Sequence, residues 1–85
     1  MTISKSSTLR ELLNSSDLTF LLEVHNGLSA KIAEEAGFAC LWGSGLSISA
    51  SMGVRDNNEL SWTQVLQILE FICDVTSVPL LFDGD

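Results

Sequence analysis

The chain has 85 residues, a length that allows one small domain at most. Its formal charge of −7 comes from eleven acidic and four basic side chains and argues against nucleic acid and anionic membrane surfaces as partners. Hydrophobic residues make up 46% of the chain, which favours a packed globular protein over a disordered one. No apolar run approaches the ~20 residues of a membrane span, and the N-terminus lacks the apolar core of a secretory signal, so we expect a cytoplasmic protein.

A short helix and a strand are predicted in the first part of the chain. Thr8 and Glu11 have the spacing of a capping box, which predicts that the first helix begins at Thr8, and the polar residues 14–17 are expected to end it. Residues 18–24 are almost continuously apolar, a pattern typical of a buried strand in a parallel sheet. The first predicted strand therefore ends directly before His25.

A second helix and a second strand follow. Asn26 is placed to cap a helix over residues 28–36, and Gly37 is expected to end it because glycine readily adopts the left-handed conformation found at helix ends. The short apolar run at residues 38–42 predicts the second strand. The apolar face predicted for this helix consists of Leu28, Ile32 and Ala36.

Residues 42–62 form the longest predicted loop. Connections in compact domains usually have about 4–6 residues, and much longer ones are commonly functional. Ser61 and Gln64 have capping-box spacing and predict a helix after this loop. Residues 78–82 predict a third strand, with Pro79 near its start, where proline is tolerated. The apolar face predicted for the third helix consists of Trp62, Val65, Leu66, Leu69, Ile72 and Cys73.

The order of these elements predicts the fold class. Apolar strands that alternate with amphipathic helices are typical of an α/β protein whose parallel sheet is covered by helices. In such folds, ligands bind at the carboxyl ends of the strands. Those ends carry three polar segments, residues 23–26, 42–45 and 83–85, which we expect to share one edge of the sheet. This convergence is the strongest argument from the residues for a functional site.

Two aspartates are candidate metal ligands. Asp83 and Asp85 flank Gly84 directly after the third predicted strand. Carboxylate oxygens suit Mg2+ or Mn2+, and a cation would offset the repulsion between two neighbouring carboxylates. The alternative interpretation is a polar turn at the end of the strand, which Asp-Gly sequences commonly form.

Two further segments are candidates for the same site. Residues 43–45 predict a tight turn of small residues, whose backbone N–H groups either bind an anionic oxygen or simply turn the chain. Asp56 lies in the middle of the long loop, where a carboxylate could act as a base, a nucleophile or a supporting group for a metal ligand. The alternative for Asp56 is a solvated loop charge paired with Arg55 at the surface.

The remaining reactive side chains are expected to be structural. Cys40 and Cys73 lie in apolar segments and lack the spacing of metal ligands, so both are expected to be buried, inert thiols. His25 is expected to support the turn beside Asn26, with general-base catalysis as the alternative.

Five segments carry a family resemblance: residues 23–30, 42–50, 53–59, 61–65 and 82–85. Together they resemble the phosphoenolpyruvate phosphomutase family, within the phosphoenolpyruvate mutase/isocitrate lyase superfamily. Superfamily lyases usually carry Gly-x-Pro-Asp-x-Gly in the long loop. This chain has Gly-Val-Arg-Asp-Asn-Asn there, which favours a mutase over a carbon–carbon lyase or a phosphonopyruvate hydrolase.

The resemblance implies a TIM-type (β/α)8 barrel, of which residues 1–85 supply the first three β/α units as part of one domain. It implies an isomerase that interconverts phosphoenolpyruvate and phosphonopyruvate, the entry to phosphonate biosynthesis. The implied cofactor is Mg2+, with Mn2+ as an alternative. The implied partners are the small-molecule substrate and, for the full-length enzyme, further copies of the same chain.

The resemblance also implies roles for individual residues. Asp83 and Asp85 match metal-site carboxylates, one binding directly and one through water. Asp56 matches an essential aspartate that acts as a phosphoryl acceptor or as an orienting group. Four residues match the pocket for the pyruvyl carboxylate, which is bound largely through backbone N–H groups: Trp42, Ser44, Gly45 and Leu46.

The length of the chain departs from the family. A TIM-type barrel takes about 250 residues, and three parallel strands cannot close one. We therefore expect this chain to be the N-terminal portion of a longer mutase, inactive by itself. Two alternatives remain open: a portion of a carbon–carbon lyase or phosphonopyruvate hydrolase, and a non-catalytic truncated polypeptide that self-associates through its exposed sheet edge.

Overall fold

The computed structural model describes residues 4–84. Three strands form one parallel sheet in the order β1-β2-β3, so the predicted α/β class is confirmed. No helix within these residues has the length and apolar character needed to cross a membrane. The elements are, in chain order, α1 (Lys5–Asn14), β1 (Leu21–Val24), α2 (Gly27–Glu35), β2 (Cys40–Gly43), α3 (Gly45–Ser51), α4 (Trp62–Val75) and β3 (Leu80–Phe82).

The three strands end side by side. Val24 pairs with Gly43, and Gly43 pairs with Phe82, so the last residues of β1, β2 and β3 are in register. The hydrogen-bonded ladder continues past the strands, because Ser44 donates its N–H to Val24 at 3.3 Å and Asp83 donates its N–H to Gly43 at 2.9 Å. The predicted convergence of polar segments on one edge of the sheet is therefore confirmed for the described residues.

The core lies between the sheet and the pair of helices α2 and α4. Five buried residues form it: Val24, Ala30, Ala33, Leu41 and Ile72. Burial of each Val, Leu or Ile side chain stabilises the fold by about 1.5–3 kcal/mol. The two alanines place the backbone of α2 close to the sheet and to α4.

The apolar face predicted for α2 is wrong. Leu28 is 71% exposed and Ile32 is 57% exposed, whereas Ala30 and Ala33 are fully buried. Leu28 and Ile32 do lie on one side of the helix, as their i, i+4 spacing predicts. The small side chains of Ala30 and Ala33 lie on another side, and they allow the helix backbone to approach the sheet more closely. Side-chain size at the contact decided which face is covered.

Two other burial predictions need correction. Strand β1 is buried only at Val24, while Leu21 and Leu22 are 38% and 39% exposed, because β1 has a neighbouring strand on one side only. In α4, Ile72 is buried, but Trp62 and Leu66 are 84% and 56% exposed. The thiol of Cys73 is exposed as well, and of the two cysteines only Cys40 is buried.

Local capping explains where the helices begin. Helix α1 begins one turn earlier than predicted, because Ser4 rather than Thr8 is the N-cap and accepts a hydrogen bond from the N–H of Ser7 at 3.2 Å. The predicted caps of the other two helices are confirmed: Asn26 and Ser61 each form a capping box. Gly37 follows α2 with φ +101°, as expected for a residue that ends a helix.

The predicted long loop contains a helix and is therefore shorter than expected. Ser44 caps α3 by accepting a hydrogen bond from the N–H of Ser47 at 3.1 Å. This Ser-x-x-Ser cap begins a helix in a segment whose serines and glycines indicated a loop. Only residues 52–61 connect α3 to α4, and Gly53 bends the chain after α3 with φ +78°.

A side-chain contact fastens α2 to the segment before β3. The carboxylate of Glu34 accepts hydrogen bonds from the hydroxyl and the backbone N–H of Ser77, the latter at 2.8 Å. These two bonds stabilise the ionised form, and the Ser77 hydroxyl contributes most, so the pKa of Glu34 lies below its usual value. The contact joins residues far apart in sequence.

Candidate active site at the strand ends

A cavity of about 390 Å³ lies at the carboxyl edge of the sheet. The end of β3, helix α3, the connection to α4 and the first turn of α4 contribute its walls; we call it the strand-end cavity. Its apolar side includes Ile48, Leu60, Trp62, Val65 and Phe82. Its polar lining residues include Ser49, Asp56, Asn58, Ser61 and Asp83, and Gly45 also lines it.

Two carboxylates meet at Gly45. A β-carbon built on this glycine would lie 3.7 Å from Oδ1 of Asp56 and 3.8 Å from Oδ2 of Asp83. The register explains the position of Asp83, because Asp83 directly follows β3 and Gly45 lies two residues after the end of β2, which pairs with β3. The chain then turns back at Gly53 after α3, and this return places Asp56 at the same point.

The charge of the cavity restricts what it can bind. Two of its lining residues are acidic, and none of the lining residues within 4–84 is basic. A small anionic ligand would be repelled by this pair of carboxylates unless a cation offset their charge. The donor set therefore fits a divalent cation that prefers oxygen ligands, as Mg2+ and Mn2+ do.

The described residues supply only part of the predicted metal site. Asp83 lies at the cavity, but Asp85, the second predicted ligand, is outside the described residues. Within residues 4–84, no group of three or more His, Cys, Asp or Glu side chains is placed to hold a metal ion.

Only one of the four residues predicted to bind the pyruvyl carboxylate lines the strand-end cavity. Gly45 lines the cavity. Ser44 uses its hydroxyl to cap α3 and its N–H to bond Val24, so its N–H is already satisfied. Leu46 is 61% exposed, and Trp42 is half-buried on β2, where it pairs in register with Leu81. Trp42, Ser44 and Leu46 are not among the described residues that line the strand-end cavity.

The partner of Arg55 is Glu59 and not Asp56. Oε1 of Glu59 accepts the backbone N–H of Arg55 at 3.0 Å, and Oε2 accepts its Nε at 2.5 Å. Asn58, between them in sequence, has φ 65°, in the left-handed region. The alternative pairing of Arg55 with Asp56 is therefore not found among the described residues, and Oδ1 of the exposed Asp56 side chain lies toward Gly45.

The backbone of His25 forms part of the turn between β1 and α2. The N–H groups of His25 and Asn26 both donate to the hydroxyl of Ser29, at 3.0 and 3.1 Å. The Nδ1 atom of His25 lies 3.8 Å from Oε2 of Glu23. The two backbone bonds hold the turn between β1 and α2, whereas Nδ1 of the His25 side chain is buried with no hydrogen-bond partner among residues 4–84.

Several lining residues were missed in the sequence. Ser49 and Ile48 belong to α3, which the sequence did not predict, and the Ser44–Ser47 spacing was the signal that could have revealed that helix. Asn58 carries no pattern that separates it from Asn57. Trp62 was assigned to a buried helix face, yet it stands largely exposed beside the cavity.

Comparison with known proteins gives a consistent family assignment. A family model described as phosphoenolpyruvate phosphomutase matches residues 9–85. A phosphoenolpyruvate phosphomutase from Tetrahymena pyriformis is 60% identical over 95% of this chain and 27% of its own length. Another from Streptomyces hygroscopicus is 47% identical over 99% of this chain and 27% of its own length. The chain thus spans about a quarter of the length of these curated relatives.

A solved structure shows the same fold. The crystal structure of a phosphonopyruvate hydrolase in complex with oxalate and Mg2+ superposes with a TM-score of 0.92. It is 42% identical and is matched over 98% of this chain and 29% of its own. This likeness and the order β1-β2-β3 confirm the predicted β/α units of a TIM-type barrel.

Proposed function

This chain belongs to the phosphoenolpyruvate phosphomutase family, and on that premise we propose that it forms part of an isomerase that interconverts phosphoenolpyruvate and phosphonopyruvate. The observation that carries the proposal is the meeting of Asp56 and Asp83 at Gly45 on the carboxyl edge of the sheet. A pair of converging carboxylates suits a metal-dependent reaction of an anionic substrate. In this proposal residues 1–85 belong to one (β/α) barrel domain.

Asp83 is proposed as a ligand of Mg2+, or of Mn2+, with Asp85 as the second carboxylate. When bound, such an ion offsets the negative charge of the substrate and of its enolate. The acidic lining of the strand-end cavity and a relative crystallised with Mg2+ support this assignment of the ion.

Asp56 is proposed as the residue that orients or accepts the phosphoryl group. Transfer of a phosphoryl group through a loose transition state depends mainly on positioning and electrostatics, and a carboxylate fixed at the cavity wall suits that requirement. The pyruvyl carboxylate is assigned to the end of β2 and the start of α3, where the backbone N–H groups of Gly45 and Leu46 remain for it because that of Ser44 bonds Val24. The proposed residues for this role are Trp42, Ser44, Gly45 and Leu46.

Phosphonopyruvate hydrolysis is the second candidate activity. It is supported by the close superposition on the hydrolase structure. The two activities start from the same substrate and differ in the fate of the phosphoryl group, which a hydrolase transfers to water. The loop sequence from Gly53 to Asn58 favours the mutase.

We also propose a cytoplasmic homo-oligomer. Outward-facing apolar side chains on α2 and α4 support association, because burial of such surface is favourable. These side chains include Leu28, Ile32 and Phe71.

Phosphorus NMR tests the proposed activity directly. The whole polypeptide that carries this sequence is incubated with phosphonopyruvate and Mg2+, and a parallel sample contains excess chelator. The appearance of phosphoenolpyruvate, lost with the chelator, is the expected result. Inorganic phosphate with pyruvate would assign the hydrolase instead, and the absence of both products would overturn both candidates.

A further inference from the structure

The connection between α3 and α4 is closed by one side chain. Glu59 accepts two hydrogen bonds from Arg55, one from the backbone N–H at 3.0 Å and one from Nε at 2.5 Å. The two residues are the ends of a five-residue turn that contains Asp56. We call this pair of contacts the Arg55–Glu59 clasp.

The turn inside the clasp has a conformation that needs support. Asn58 has φ 65°, a region in which residues other than glycine are strained, although asparagine tolerates it better than most. Asp56 and Asn58 line the strand-end cavity, and Asn57 between them is not among its lining residues. The clasp therefore fixes which side chains of the turn face the cavity.

The Arg55–Glu59 clasp should affect the orientation of the turn more than the free energy of unfolding. The Arg55 side chain is 82% exposed, and exposed ion pairs stabilise a fold only slightly. The hydrogen bond that the backbone N–H of Arg55 donates to Glu59 is different, because it fixes the peptide group between Val54 and Arg55, one peptide group before the one that joins Arg55 to Asp56. A change at Glu59 should thus alter the direction of Asp56 more than the free energy of unfolding.

We propose that Glu59 is a positioning residue, which holds the carboxylate of Asp56 against Gly45 through the Arg55–Glu59 clasp. Neither Glu59 nor Arg55 lines the strand-end cavity, so the effect acts through the residues of the turn that do, of which Asp56 is the one with a proposed part in the reaction. The inference rests on the proposed mutase function for its kinetic consequence. Its geometric part, the placement of Asp56, stands independently of any activity.

Kinetics of three variants test the consequence. Glu59→Ala removes both acceptors, and a misplacement of about 1 Å at a reacting group can lower a rate by about a hundredfold. We expect kcat to fall by about tenfold to a hundredfold, with KM and the melting temperature nearly unchanged. Glu59→Gln keeps an oxygen that accepts the Arg55 N–H and should restore most of kcat. Glu70→Ala, which alters an exposed glutamate of α4, is the matched control and should behave as the unaltered protein.

A measurement without turnover separates this proposal from the proposed function. In the NMR spectrum we expect a nuclear Overhauser contact between the α-protons of Gly45 and the β-protons of Asp56. It should be present in the unaltered protein and in Glu59→Gln, and lost in Glu59→Ala. Persistence of this contact in Glu59→Ala, or full kcat in that variant, would overturn the proposal. If the unaltered protein shows no turnover, the mutase proposal fails and the contact alone decides the role of Glu59.

Discussion

The carboxylates of Asp56 and Asp83 both lie close to Gly45, although Asp56 precedes α4 and Asp83 follows β3. A methyl group at Gly45 would be 3.7 Å from Oδ1 of Asp56 and 3.8 Å from Oδ2 of Asp83. These are ordinary van der Waals distances, so steric crowding does not require a glycine at this position. The absence of a side chain at Gly45 leaves a space between two carboxylates that a cation or a substrate group can share.

Gly45→Ala should therefore separate folding from function. The backbone at Gly45 is not in the left-handed region, and alanine is a better helix former by about 1 kcal/mol, so the melting temperature should stay the same or rise. The affinity for Mg2+ and oxalate, measured together by calorimetry, should fall because the added methyl group fills the space beside the carboxylates of Asp56 and Asp83. Gly27→Ala at the start of α2 is the control, since its β-carbon would meet Val75 at a similar 3.6 Å, away from the cavity. Equal binding by Gly45→Ala and the control would contradict the assignment.

Asp56→Ala should abolish turnover and leave the fold intact. The side chain is exposed, so few packing contacts are lost, and the change in unfolding free energy should be within about 0.5 kcal/mol. Phosphorus NMR measures the turnover, and urea unfolding measures the stability. A variant with full activity would refute the role proposed for Asp56, whereas a large loss of stability would show that Asp56 supports the fold.

Stability should depend on pH through Glu34. The folded-state pKa of this carboxyl is lowered by the Ser77 hydrogen bonds, so its contribution is complete above the unfolded-state pKa and is lost as the pH falls through the folded-state pKa. Glu34→Gln should lower the free energy of unfolding at pH 7, measured by urea unfolding, by less than about 1 kcal/mol for so accessible a contact. The difference from the unaltered protein should shrink as the pH falls below the unfolded-state pKa and disappear below the folded-state pKa. Glu35→Gln, a change at the neighbouring exposed residue, should show no such trend.

The two cysteines should differ in reactivity toward a disulfide reagent. Cys73 is exposed, whereas Cys40 is buried and its thiol pKa is raised by burial, which lowers its thiolate fraction. At pH 8 we expect a fast reaction that Cys73→Ser removes and Cys40→Ser retains. In urea, Cys40 should react as fast as Cys73. A fast native reaction at Cys40 would show that β2 opens readily.

Local signals were sufficient for the caps and the order of the elements. The capping boxes at Asn26 and Ser61 involve residues three positions apart, and such contacts form whatever the rest of the chain does. The same logic explains the failure at α1 and α3. At α1, both Ser4 and Thr8 are residues that can cap a helix, and the structure has Ser4 as the cap. At α3, the serines after Gly43 favoured a loop in the sequence, whereas Ser44 caps a helix in the structure.

The buried faces could not be derived from such local patterns. The stripe of Leu28 and Ile32 satisfies helical periodicity as well as Ala30 and Ala33 do, but only the small residues face the sheet. Likewise, Trp62 and Cys73 follow the spacing of a buried face and are exposed. Burial depends on which surfaces meet and how closely, and periodicity alone does not contain that information.

The sequence by itself determined that parallel strands would bring polar residues to one edge, because the direction of each strand follows from the alternation of helices and strands. It also carried the family resemblance and with it the candidate residues Asp56, Asp83 and Gly45. Only the tertiary structure decided that these three residues meet, since the contact needs the register of β2 with β3 and the return of the chain after α3. Contacts between distant residues depend on how whole elements pack, and that arrangement is fixed only in the folded chain.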